Sequence, residues 1–280
     1  MRILVVNPNT TASMTEKIGR AAQAAASPGI DIRAVSPAMG PASIEGYYDE
    51  AFAVPGLIEE VRKGEAEGFA GYVVACFDDT GVDAARCVAR GPVLGIAEAA
   101  MHVATMIAGS FTIVSTLGRS APALEHLVHK YGFDRRCRRV RTAEVPVLAL
   151  EEPGSGAVDR LRAEIAAAVA QDRCEAIVLG CAGMADLNAR LAAEFGLPVI
   201  DGVAAAVKLV EAVVGLGLGT SKAIGYAAGW HERPARLAVL LRPRLWPRLA
   251  NRQFRQHTLC VRSLVPRSLL YSDRADTPHS

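Results

Sequence analysis

The chain has 280 residues, of which 51% are hydrophobic and 21% are charged, and its formal net charge is +2. This balance is typical of globular proteins and excludes an intrinsically disordered chain. No stretch approaches the ~20 consecutive apolar residues of a membrane-spanning helix. The first strand-like run begins at Arg2, which leaves no space for the apolar core of a signal peptide. We therefore expect a cytoplasmic protein with no membrane partner.

The basic residues are concentrated at the C-terminal end. Residues 229–280 contain ten Arg and three acidic residues, whereas the preceding 228 residues carry a small acidic excess. Prolines every few residues forbid a long helix in this tail. An Arg-rich segment with Trp246 and Phe254 would also suit nucleic acid or anionic lipid. We favour an atypical Arg/Pro-rich C-terminal sequence and expect no nucleic-acid partner.

Residues 1–228 alternate between short β-branched runs and alanine-rich segments, which predicts an α/β fold. The strands read as continuous apolar runs, which favours parallel sheets covered by helices on both faces. The predicted strands are 2–6, 31–35, 71–75, 92–96, 111–115, 176–180 and 197–201. The predicted helices are 13–26, 49–66, 82–89, 97–108, 119–131, 157–171, 184–195 and 203–216. In such sheets ligands bind beyond the carboxyl ends of the strands.

Polar loops follow four of these strands. "NPNTT" follows the first strand and "VSTLGR" a later one, and they offer Asn9, Thr10, Ser115 and Thr116 as hydrogen-bonding groups for a ligand. The same residue types are equally common as helix caps and turn residues. The other two loops, "ACFDD" and "GCAGM", each contain a cysteine.

Cys76 and Cys181 occupy matching positions, each after a predicted strand and before a predicted helix. Unpaired backbone N–H groups and the helix dipole at such a position favour the thiolate. Two such thiols facing one substrate suit racemisation, which removes a proton from one face of a stereocentre and returns one to the other. The structural alternative is that they are small core residues. We assign that role to the remaining cysteines, Cys87, Cys137, Cys174 and Cys260.

The spacing of the cysteines predicts no metal site and no disulfide framework. No C-x-x-C pair and no His or Cys cluster with finger-type spacing occurs in the chain. A reducing cytosol would also keep the thiols free.

Several motifs resemble the hydantoin racemase branch of the aspartate/glutamate racemase superfamily, and within it chiefly the allantoin racemases. They include "ILVVNPNTTASMTEKI", "VVACFDDTGVDAAR", "GIAEAAMH", "AIVLGCAGM" and "LPVIDGVAAAVKLVE", and the resemblance runs from Arg2 to about Lys222. It implies two similar parallel-sheet lobes related by a pseudo-two-fold axis, with the active site in the cleft between them. It places lobe 1 at residues 1–97, completed by 205–228, and lobe 2 at 98–204. It also implies a homo-oligomer.

The resemblance further implies racemisation of allantoin at C5, in purine catabolism, with Cys76 and Cys181 as the two bases. It implies no pyridoxal phosphate, no other cofactor and no metal. The substrate is a neutral ring whose C5–H, once removed, leaves an enolate. Backbone amides after each cysteine would stabilise the enolate oxygen, and Ile44 would wall the pocket. The amides are those of Phe77, Ala182 and Gly183.

One departure from the family pattern lies beside Cys76. Many relatives have Gly-Asp-Pro-Gly after the Cys-Phe pair, whereas this chain has Asp78, Asp79, Thr80 and Gly81. The added acid either raises the pKa of the thiol by like-charge interaction or faces solvent.

Three other functions stay open at this point. The chain is also compatible with a racemase for other 5-substituted hydantoins, because the pocket shape decides between the rings. A non-catalytic small-molecule binding protein on the same fold is a second alternative. A redox pair formed by Cys76 and Cys181 is a third.

Overall fold

A computed structural model describes residues 1–152 and 154–227. The predicted Arg/Pro-rich tail, 229–280, lies outside the described residues. The described residues contain eight strands, which are β1 (Arg2–Val6), β2 (Asp31–Val35), β3 (Gly71–Val74), β4 (Val93–Gly95), β5 (Phe111–Ser115), β6 (Cys137–Thr142), β7 (Ala176–Leu179) and β8 (Val199–Ile200). Seven of them confirm predicted strands.

The same residues contain eight α-helices and three short 3₁₀ turns. The helices are α1 (Ala12–Ala25), α2 (Tyr47–Glu67), α3 (Val82–Val88), α4 (Ile96–Ile107), α5 (Ala121–Lys130), α6 (Ala157–Gln171), α7 (Asn188–Phe195) and α8 (Gly202–Gly215). The turns are Gly118–Ser120, Val147–Glu151 and Ala182–Met184. Each helix overlaps a predicted one.

The strands form two four-stranded parallel sheets with the same order of strands. In the first sheet the order is β2-β1-β3-β4, and in the second it is β6-β5-β7-β8. The predicted α/β fold with parallel sheets and helices is therefore confirmed. The division into lobes at 1–97 with 205–228 and at 98–204 stays a prediction.

One hydrophobic core joins the two sheets. It contains side chains from the inner faces of both, such as Val73 and Val178, together with residues of α1, α4, α5 and α8. A second core packs the first sheet against α2 and α3, and a third packs the second sheet against α6 and α7. Both sheets are thus covered on both faces, which explains why their central strands are mainly apolar.

The sequence pattern missed β6 and placed the start of α7 too early. β6 is an edge strand with the sequence "CRRVRT", and Arg138 and Arg139 on it are exposed. Charged side chains are typical of edge strands, because they discourage pairing with another chain, but they hide the strand from an apolar-run criterion. The predicted helix at 184–195 is instead the turn Ala182–Met184 followed by α7.

None of the helices among residues 1–152 and 154–227 combines the length and apolar character needed to cross a bilayer.

Candidate active site

The two cysteines leave equivalent strands of the two sheets. Cys76 lies just after β3, the third strand of the first sheet, and Cys181 lies just after β7, the third strand of the second. The polar loops after β1 and β5, which are the second strands, complete the pattern. The carboxyl ends of parallel strands meet at one edge of a sheet, so each sheet presents one thiol beside one polar loop.

These four strand ends surround one cavity. Eight of the ten predicted site residues line it: Asn9, Ile44, Cys76, Phe77, Ser115, Thr116, Cys181 and Ala182. The other lining residues are Met14, Ala75, Asp78, Ser120, Val147 and Gly180. Both thiols therefore face the same space, one from each sheet.

Two predicted site residues, Thr10 and Gly183, are not among those that line the cavity. The Thr10 hydroxyl donates to the carbonyl of Pro41 at 3.2 Å and its amide donates to the same oxygen at 2.9 Å. Thr10 therefore holds the loop that precedes α2. The Gly183 amide donates a hydrogen bond to the sulfur of Cys181 and lowers the pKa of that thiol. The carbonyl of Gly183 accepts a hydrogen bond of 3.3 Å from the Lys17 ammonium.

The Asn9 side chain is held with its amide oxygen engaged by the protein, while its amide nitrogen has only a weak acceptor among the described residues. Its Oδ1 accepts from Asn7 Nδ2 and from the Thr11 amide, both at 2.9 Å. Its Nδ2 contacts only the sulfur of Met14, at 3.2 Å, and a thioether is a weak acceptor. Asn9 thus presents a donor, not an acceptor, to the cavity.

On the opposite sheet, Ser115 is fixed against the strand that carries Cys181. Its hydroxyl donates to the carbonyl of Gly180 at 2.8 Å. A Cβ at position 180 would lie 2.6 Å from that of Ser115, so the strands can approach this closely only with glycine there. The lone pairs of Ser115 remain available to accept hydrogen bonds.

The expectation that both positions favour the thiolate is wrong, because burial outweighs the nearby backbone amides at each thiol. For Cys76, burial is the main influence and raises the pKa well above the usual range. The neighbouring carboxyl of Asp78 raises it further, and so does the charge of Cys181. The hydroxyl of Thr80, 3.5 Å from the sulfur, acts in the opposite direction. The charge of Cys181 thus acts on the Cys76 thiol across the cavity.

The Cys181 thiol has a more favourable environment for ionisation. Burial raises its pKa to about 11, while the Gly183 amide and the Lys17 ammonium lower it. Lys17 is held by an ion pair of 2.8 Å with Glu151. Because Lys17 belongs to α1 and Glu151 to the second half of the chain, this contact also ties the halves together beside Cys181.

The two acids after Phe77 have different roles. Asp79 points away from the cavity and caps α4: its carboxylate accepts from the amides of Ala97 at 3.0 Å and Glu98 at 2.9 Å, and from the Tyr131 hydroxyl at 2.8 Å. Asp78 lines the cavity. Burial raises the pKa of each to about 7. Of the two acids, Asp78 is therefore the one whose charge raises the pKa of the Cys76 thiol.

The loop before α2 closes one side of the cavity. Ile44, 7% exposed, forms part of the wall. The carboxylate of Glu45 accepts from the Val147 amide at 3.0 Å, and the Ser120 hydroxyl donates to the Glu45 carbonyl at 3.4 Å. Glu45 thus fastens a loop of the first half to the second half, a role that local sequence did not indicate.

Two further polar side chains, those of His102 and Arg119, lie outside the cavity. His102 packs edge-on against Phe133, and its Nδ1 is 2.8 Å from the Glu98 carbonyl, as expected for a packed imidazole. Arg119 is exposed, with its guanidinium beside Gly46. Within the described parts of the chain, no three His, Cys, Asp or Glu side chains are grouped to hold a metal ion.

Comparison with known proteins agrees with this geometry. The family model for Asp/Glu/Hydantoin racemase matches residues 3–210. Hydantoin racemase of Rhizobium meliloti is 52% identical over 227 residues, which are 81% of this chain and 94% of that protein. The structure of allantoin racemase from Klebsiella pneumoniae matches with a TM-score of 0.81 and 51% identity, and covers 84% of this chain and 95% of that one. The structure of allantoin racemase from Pseudomonas fluorescens matches with a TM-score of 0.79 and 37% identity, and covers 84% of this chain and 99% of that one.

The fold is thus that of a racemase. The chain belongs to the Asp/Glu/hydantoin racemase family, which confirms the resemblance found in the sequence and the expectation of a racemase. Relatives named for hydantoin and for allantoin are equally similar to it, so identity does not distinguish the two rings.

Proposed function

We propose that the protein racemises a hydantoin ring at C5 without a cofactor, with Cys76 and Cys181 as the two bases and allantoin as the substrate. The observation that carries this proposal is that one thiol from each sheet lines a single cavity. A planar ring between the two would expose one face of C5 to each sulfur.

Proton transfer then needs one thiolate and one thiol. The thiolate removes the C5 proton, and the electron pair of the broken C–H bond moves to the adjacent carbonyl oxygen as an enolate. The opposite thiol donates its proton to the other face of C5 while the enolate returns to the carbonyl. The configuration at C5 is inverted. The cysteine that donated its proton is now the thiolate, so the next turnover runs in the reverse direction.

The environments of the thiols favour Cys181 as the first to ionise. Burial raises its pKa to about 11, and burial followed by the Asp78 carboxyl raises that of Cys76 well above the usual range, without a cation such as Lys17 to oppose it. A group with a pKa above the working pH acts as base through its small ionised fraction, and its strength as base partly compensates for that fraction. The enantiomer whose C5–H faces Cys181 is then the one deprotonated from the resting state.

Polar groups around the cavity suit the ring. The amide nitrogen of Asn9 is a donor for a ring carbonyl or for the enolate oxygen. Thr116 and Ser115 are both buried in the wall and carry hydroxyls. The backbone amide of Phe77 completes the proposed set on the Cys76 side, as predicted from sequence.

The charge of the cavity argues against a free amino acid as substrate. An α-carboxylate would require a cation, yet none of the described residues that line the cavity is Arg or Lys. The ionisable carboxyl there, that of Asp78, would repel an anion. A neutral imide ring avoids this cost.

Racemisation of 5-substituted hydantoins other than allantoin is the second candidate, favoured by the 52% identity to hydantoin racemase of Rhizobium meliloti. The test is to follow the circular dichroism of (S)-allantoin, 5-benzylhydantoin and 5-isobutylhydantoin with purified protein, each against a protein-free blank. We expect loss of optical activity with allantoin fastest. Inactivity on all three rings would overturn the proposed function, and faster turnover of the alkyl and benzyl rings would favour the second candidate.

A further inference from the structure

Asp78 is an unpartnered carboxyl that faces the two thiols. It lines the cavity together with Cys76 and Cys181, and its charge raises the pKa of both thiols. No described residue donates a hydrogen bond to its side chain, whereas the adjacent Asp79 receives three. This half-buried carboxyl therefore has no protein donor and remains open to a donor from a ligand in the cavity.

The surroundings of Asp78 supply no cation either. The charges that raise its pKa, besides burial, are those of Glu50 and Asp79, and both are acidic. Glu50 lies in the first turn of α2, and its Oε1 is buried without a hydrogen-bond partner. This side of the cavity therefore has acceptors in excess and lacks donors.

A hydantoin ring has the complementary pattern. It carries two N–H donors, at N1 and N3, on either side of one carbonyl. Of the polar side chains described above, Asn9 presents a donor and Ser115 has used its proton on Gly180. Ser115 can therefore accept from a ring N–H, but the stronger acceptor is Asp78, which carries the one carboxylate among the residues described as lining the cavity.

We propose that Asp78 is a substrate-binding residue that accepts a hydrogen bond from a ring N–H and thereby orients the ring with C5 between the two sulfurs. This inference rests on the proposed function for the identity of the ring.

The experiment measures binding by calorimetry, so that it does not depend on turnover. Racemic allantoin, 1-methylallantoin and 3-methylallantoin are titrated into wild-type protein and the variants Asp78→Asn and Asp78→Leu. The control is Asp159→Asn, a carboxyl on the outer helix α6 that is exposed and does not line the cavity. Circular dichroism and melting curves verify that each variant is folded.

A hydrogen bond to a charged group corresponds to roughly 10- to 100-fold in affinity. Asp78→Leu should weaken allantoin binding by about that factor, whereas Asp78→Asn, which keeps a carbonyl acceptor, should lose less than about tenfold. One of the methylated rings should bind wild type more weakly by a similar factor and should show a smaller penalty with Asp78→Leu. Asp159→Asn should bind all three rings like wild type.

The role of Asp78 would be overturned if methylation of the ring weakened binding equally in wild type and in Asp78→Leu. It would also be overturned if Asp78→Leu bound allantoin with the affinity of wild type. Absence of binding of all three rings to wild type would overturn it as well. If the binding pattern is as expected but no racemisation occurs, the proposed function fails while the assignment of Asp78 stands.

Discussion

Cys76 and Cys181 leave the third strands of two sheets with identical strand order and line the same cavity. The Asp78 carboxyl raises the pKa of both thiols, but only the thiol of Cys181 also has a cation, Lys17, that lowers its pKa. The two thiols thus occupy equivalent positions in the strand orders of the two sheets but differ in their charged surroundings. In the proposed mechanism each serves as acid or base, and Cys181 ionises more readily than Cys76.

Replacing either of these cysteines by serine should abolish racemisation of the ring. A serine hydroxyl is a much weaker acid than a thiol, and loss of a general acid or base costs roughly 10²- to 10⁴-fold in rate. The rate is measured by circular dichroism on (S)-allantoin. Cys87→Ser, a matched change in α3 outside the cavity, should keep wild-type activity. Undiminished racemisation by either Cys76→Ser or Cys181→Ser would refute the two-base mechanism.

Removing the charge of Asp78 should shift the pH profile of racemisation. In wild type the rate rises with pH as a thiolate forms, but Asp78 ionises near pH 7 and its charge then raises the pKa of both thiols. Asp78→Asn lacks this charge, so the thiol pKa values fall and the rising limb of kcat moves to lower pH, by roughly one unit. The measurement is kcat at saturating ring from pH 6 to 10. A limb that stays in place or moves to higher pH would contradict this assignment.

The attachment of Glu45 to Val147 should affect binding more than chemistry. Glu45→Ala removes the acceptor of the Val147 amide, which is worth about 1 kcal/mol, and frees the loop that carries Ile44. We expect KM to rise roughly fivefold with little change in kcat. Glu45→Gln keeps an oxygen acceptor and is the matched control. The interpretation fails if Glu45→Gln is as impaired as Glu45→Ala, or if neither variant alters KM.

The outcome at these positions shows what sequence alone predicts. Apolar runs located seven of the eight strands, and the repeated strand–cysteine pattern brought both thiols to one cavity as expected. The roles of Asp78, Asp79 and Glu45 did not follow from local sequence. Asp79 caps a helix that begins at Ile96, and Glu45 binds an amide 102 residues away; such partners are defined only by the folded chain.

Gly95 is predicted to be essential for the position of Asp79. A Cβ at residue 95 would lie 2.0 Å from Asp79 Oδ1, so Gly95→Ala must displace the carboxylate that caps α4. We expect a loss of about 1–3 kcal/mol in the free energy of unfolding, seen as a lower Tm. Gly215→Ala is the control, because a Cβ added there would meet no atom within 4 Å outside its own helix backbone and chain neighbours. It should leave Tm unchanged or slightly higher. Equal melting of Gly95→Ala and wild type would contradict the close packing of these residues.

The central claim is that two thiols act on opposite faces of one carbon. The most direct measurement is racemisation of (S)-allantoin in D2O, stopped at low conversion, with the deuterium content of each enantiomer determined separately. A thiol proton exchanges readily with solvent, so the (R) product should carry deuterium at C5 while the remaining (S) substrate stays protiated, after correction for the protein-free blank. Deuterium appearing in substrate and product to the same extent would indicate a single base and contradict the account.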